Sequence, residues 1–124
     1  MSVLLVVAAI LISLLGMAHS YLGERYILVR LFRRTDLPSL FGGQAFTRHT
    51  LRFAWHLTTV AWLGLAGLLV VLASASGGGA QRQARVISAT FAASGVVSLV
   101  GSRGRHLSWV VLSIAAVLVW LAYP

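Results

Sequence analysis

The residues best equipped for chemistry in this chain are four histidines: His19, His49, His56 and His106. A neutral imidazole can ligate a transition metal, and two imidazoles from facing helices can hold a haem iron axially. His49, Arg52, His56 and Thr59 follow at intervals of three, four and three, which places them on one stripe of a helix. Gly16, His19 and Gly23 form a similar stripe, with glycines that admit a close helix or a flat ligand. His19 and His56 are expected to sit deepest and are the metal-ligand candidates; His49 and His106 are candidates nearer the water boundary. Glu24, Arg52, Thr59 and Trp109 are the supporting polar and aromatic residues.

Other chemistry is narrowed by what the chain lacks. His49 and His56 are seven residues apart, two helical turns, too far to chelate one small ion together, and no HExxH or HxxxH pair occurs. Glu24 is the only carboxylate near the group, so a carboxylate-rich di-iron site has no ligands. There is no cysteine for a thiolate site, no lysine for a phosphate-binding loop and no GxSxG for a hydrolase nucleophile. A non-enzymatic role is therefore the expectation. Nucleic-acid binding is not expected, because the arginines are divided among the ends of apolar runs and do not gather on one soluble face.

The elements that must position these residues are membrane helices. The chain has 124 residues, 59% hydrophobic and 10% charged, with a mean hydropathy of +0.91, well outside the range of an ordinary water-soluble domain. Apolar runs cover positions 2–22, 51–75, 84–101 and 107–123. None alternates in polarity as barrel strands do, so all four are read as helices. The expected fold is an all-α integral membrane protein, a single domain of four antiparallel transmembrane helices over positions 1–124. The third run, rich in serine and glycine, is expected to be the least secure crossing. Gly16-Met17-Ala18 could pass for a signal-peptidase site, but a positive n-region is absent, and the first run is read as a retained helix.

All ten basic residues are arginine, against two acidic residues, for a net charge of +8. Arg25, Arg30, Arg33, Arg34, Arg48 and Arg52 surround the first connection, Arg103 and Arg105 the third, and only Arg82 and Arg85 the second. This bias places connections one and three in the cytoplasm of a bacterial-type inner membrane, with both termini outside. The four histidines then fall toward the same membrane face. The first connection, positions 23–50, is the only one of substance. Its arginines serve as topology signals and suit anionic lipid headgroups. Asp36-Leu37-Pro38 should break the helix, and Thr47 should cap the next one.

On the third helix, Ser88, Ala92, Gly95, Leu99 and Ser102 make a small-residue face, with Ser94 and Ser98 beside it. His106, Trp109, Ser113 and Trp120 share a stripe on the fourth. Four short helices bury few faces internally, so a homo-oligomer or a membrane partner protein is expected. The expected function is a His-lined site near the cytoplasmic face that binds a transition metal or haem. The alternatives are a small transporter or channel subunit acting as an oligomer, and an accessory subunit of a larger membrane complex.

Overall fold

In the computed structural model the described residues are 1–39 and 41–123, with positions 101 and 102 described by backbone alone. Among them all regular structure is helical. We label the helices α1 (Val3–Leu31), α2 (Gln44–Leu72), α3 (Gly78–Ser102) and α4 (Ser108–Leu121). The first two contain 29 residues each, about 44 Å at 1.5 Å per residue. Together with α3 they are long and apolar enough to cross a membrane. With 14 residues, α4 reaches only about 21 Å. The helix that falls short of membrane-spanning length is thus α4, whereas composition pointed to the third run as the least secure.

Helix boundaries differ from the apolar runs because hydropathy marks what lipid tolerates, while backbone continuity depends on breakers. α1 continues past Leu22 through Gly23–Leu28 as a π-helical stretch and ends with Val29–Leu31. Nothing in GERYILVRL forbids helix, and the first obstacle is the Asp36-Leu37-Pro38 segment. α2 starts at Gln44 instead of Leu51, so Thr47 lies inside it and does not cap it. Buried Thr47 instead donates its hydroxyl to the Pro38 carbonyl at 2.6 Å, and the Gln44 side chain donates to the Thr35 carbonyl at 2.5 Å. These two bonds fold the connection back onto the start of α2.

The chain divides into two compact units, one of Met1–Leu15 with Leu63–Pro124, the other of Gly16–Trp62. In the first, Leu5, Ile12, Leu69, Phe91, Leu112 and Val119 are fully buried. Ser2 N–H donates to Ala73 O at 2.7 Å and the Tyr123 hydroxyl to Leu72 O at 2.6 Å. Ser88 donates to the Ala116 carbonyl at 2.8 Å, and a Cβ on Gly95 would come within 3.1 Å of Ser113 Oγ. The face that α3 turns to α4 therefore runs through Ser88, Phe91, Gly95 and Ser98, whereas Ala92 and Leu99 of the expected stripe are exposed. The side chain of Ser102 lies outside the described residues.

Candidate functional site

The unit formed by Gly16–Trp62 pairs the second half of α1 with the first half of α2. On α1 the contacting positions are Gly16, His19, Ser20, Gly23 and Glu24, a repeat of three, one, three and one that keeps them on one face. On α2 they are Arg52, Trp55, His56, Thr59 and Trp62, again one face. The contacts run in opposite sequence order, Gly16 meeting Thr59 and Trp62 while Glu24 meets Arg52 and His56.

Two glycines set how close the helices come. A Cβ built on buried Gly23 would fall inside the indole of Trp55, and one on Gly16 would lie 3.4 Å from Thr59 Cγ2. The Trp55 ring occupies the space that Gly23 leaves and donates Nε1–H to the His19 carbonyl at 3.0 Å. His19 in turn stacks on Trp55, with ring centroids 4.6 Å apart and planes 4° from parallel, and meets Trp62 at 5.3 Å.

Beside this aromatic layer lies a continuous polar chain. Arg52 Nη2 is 2.9 Å from Glu24 Oε1, and Nε donates to Oε2 at 3.2 Å, a two-pronged grip on the carboxylate. His56 Nε2 lies 3.3 Å from the same Oε2, and its Nδ1 lies 2.8 Å from Ser20 Oγ. Ser20 Oγ is also 2.8 Å from Thr59 Oγ1, which donates to the Gly16 carbonyl at 3.1 Å. From Glu24 to Gly16 is eight residues, so the chain spans about 12 Å along α1. Thr59 is buried, while the side chains of Glu24 and His56 are about one-third exposed, at 34% and 38%.

The stripe of Arg52, His56 and Thr59 therefore faces α1, as its spacing implies. His49 is exposed and lies outside this network. His19 and His56 both belong to the contact face but take different neighbours, one aromatic and one polar. His106 belongs to the other unit and is exposed; its Nδ1 is 2.7 Å from Ser108 Oγ, at the start of α4. Trp109 donates Nε1–H to Gly104 O at 3.2 Å, closing the turn that Arg103 and Gly104 make with positive φ. Among the described residues no group of three or more His, Asp or Glu could hold a metal ion.

Sequence reasoning missed Ser20, Trp55 and Trp62. Ser20 lies four residues from both Gly16 and Glu24, a signal in plain sight, and Trp55 lies three residues after Arg52 and four before Thr59, on the same side of α2 as the polar stripe. In the connection, Arg34 grips Asp36 at 2.6 and 2.8 Å. That hydrogen bond is the main cause that brings the Asp36 carboxyl from its ordinary 3.8 down to about 2.

Comparison of the chain with protein-family models, curated proteins and solved structures gives no match. The reading of the site rests on its own residues.

Proposed function

We propose that this chain is a multi-pass membrane protein of four antiparallel helices whose working part is a proton-binding relay, Glu24–His56–Ser20–Thr59, near one membrane face. It would serve a small proton-coupled transporter or channel, assembled as a homo-oligomer or with a membrane partner protein. The charge bias of the connections supports a cytoplasmic position for that face in a bacterial-type inner membrane.

The observation that carries the reading is the unbroken line of hydroxyls leading away from the imidazole. Each hydroxyl has one hydrogen, so the line has two directions. With neutral His56 carrying its proton on Nε2, facing Glu24, Thr59 donates to Ser20 and Ser20 donates to Nδ1. With one more proton, Nδ1–H donates to Ser20, Ser20 to Thr59 and Thr59 to the Gly16 carbonyl. Every member keeps a partner in both states, so the imidazole can hold one more proton once the hydroxyls reverse, with no helix movement. Histidine suits this role because either ring nitrogen can carry the proton while the other accepts.

Metal or haem ligation remains the second reading of the same residues, favoured by the convergence of a carboxylate oxygen and an imidazole nitrogen at 3.3 Å. It is the weaker one. Both nitrogens of His56 already have partners, so a metal would have to displace Glu24 or Ser20.

Proteoliposomes holding a pH-sensitive dye test the proposal under an imposed membrane potential. We expect proton flux in the parent, reduced on the order of a hundredfold by His56→Ala and Glu24→Gln. Equal flux in parent and variants would overturn the relay. A stoichiometric metal, or a haem absorption band lost in His56→Ala, would move the assignment to ligation.

A further inference from the structure

The outer side of the π-helical stretch forms a groove of about 420 Å³ lined by Tyr21, Glu24, Arg25, Tyr26, Val29 and Arg30. In an ordinary α-helix two residues five apart are turned by about 140° from one another, so Arg25 and Arg30 would diverge, as would Tyr21 and Tyr26. In π geometry the hydrogen bond closes over five residues, and the Val29 N–H bonds to the Glu24 carbonyl in this way. The π stretch thus gathers two arginines and two tyrosines along one groove.

The charges in this groove are unbalanced. The chain has two carboxylate side chains, and Arg34 takes Asp36 while Arg52 and His56 take Glu24. Glu24 therefore adds little repulsion toward an anion, and neither Arg25 nor Arg30 has an ion-pair partner among the described residues. The Arg25 guanidinium lies over the Tyr26 ring at 5.7 Å, which orients it along the groove wall. The preceding apolar stretch, Val3–Leu22, has 20 residues, about 30 Å, so the groove begins where hydrocarbon gives way to headgroups.

We propose that this groove binds the phosphate of an anionic phospholipid headgroup between Arg25 and Arg30, with the tyrosine hydroxyls as further donors. The inference rests on the membrane reading above and needs no proton movement in the relay, although Glu24 borders both.

Spin-labelled phosphatidylglycerol and phosphatidylcholine, each reconstituted with the full chain in phosphatidylcholine vesicles, give the relative association of the two lipids. We expect the parent to favour phosphatidylglycerol on the order of tenfold, as two arginines at a membrane surface should. Arg25→Gln with Arg30→Gln should lose most of this preference. Arg103→Gln with Arg105→Gln removes the same charge elsewhere and should keep it. Soluble glycerol phosphate should not compete, which separates a lipid headgroup from a free phosphate. No preference in the parent, or an equal loss in both double variants, overturns the site. Should the Arg25/Arg30 variant lose its helicity, Arg30→Gln alone reads the same ratio and should show an intermediate loss. Extraction of the parent from vesicles by an alkaline wash would instead defeat the membrane reading itself.

Discussion

At the scale of single residues, His56 joins α1 and α2 by using both ring nitrogens, and no isosteric apolar residue can do this. His56→Ala leaves Ser20 bonded to Thr59 and Glu24 gripped by Arg52, so the fold should survive with a loss of about 1 to 3 kcal/mol, read by reversible unfolding in mixed micelles. Thr59→Val tests the far end of the line: it keeps the shape, removes the donor to Gly16 O, and should lower proton flux while helicity stays unchanged. Of the expected stripe His49, Arg52, His56 and Thr59, the last three meet α1, because a polar face on an apolar helix has to find protein or water, while His49, nearer the start of α2, is exposed and outside the network. The partner face on α1 was only half legible. Glycines at 16 and 23 announced a close approach, but Ser20 between them is an ordinary residue whose importance depends on which ring stands opposite. Asp36 offers a separate check outside the helices. A carboxyl held low by Arg34 contributes stability to the connection that is fully present above 3.8 and is lost as pH falls through about 2. In NMR titration Asp36 should have its midpoint near 2, and Arg34→Gln should return it toward 3.8.

At the scale of elements, the pairing of α1 with α2 is governed by shape before charge. Gly23→Ala places a methyl inside the Trp55 indole, a ring already held by its bond to the His19 carbonyl and by stacking on His19. The ring cannot yield without giving up both contacts, so the substitution should cost about 1 to 3 kcal/mol and disturb the indole fluorescence. Gly16→Ala meets Thr59 Cγ2 at 3.4 Å, an ordinary contact, and should be mild. Gly64→Ala meets nothing within 4 Å and should be neutral or gain up to about 1 kcal/mol from helix propensity. That order, measured by thermal unfolding, separates packing from propensity; equal effects at Gly16 and Gly23 would contradict the close approach. Helix existence was readable from apolar runs, whereas the π stretch was not. No composition rule distinguishes GERYIL from an α-helical turn, and its consequence, two arginines in register, appears only once the backbone is seen. The same blindness misplaced the start of α2, because Gln44 to Thr50 is polar enough to look like connection while its backbone is helical.

At the scale of the whole molecule, three helices are long and apolar enough to cross a membrane and one is short, so the proposed membrane topology turns on α4. The arginine bias, eight residues against two, predicts that the first and third connections share one side, since orientation follows such bias over short loops. With four crossings the C-terminus lies opposite the first connection; with three it lies on the same side. α4 spans only about 21 Å as regular helix against a hydrocarbon thickness of about 30 Å. A mismatch of this kind costs fractions of a kcal/mol per Å and is met by local thinning or by association with neighbouring helices. Leaving α4 outside the bilayer would expose Ile114, Val117 and Leu121, which already stand open in the chain alone, to water. These side chains are about half exposed, so covering the rest of three of them with lipid is worth about 2 to 5 kcal/mol, the same order as the mismatch penalty. With neighbouring helices relieving the mismatch, we predict that α4 crosses and that the termini share one side. A periplasm-active reporter fused after Tyr123 should be active, while the same reporter inserted between Ser39 and Gln44 should be silent. Activity at neither or both would mean three crossings, with α4 lying along the surface.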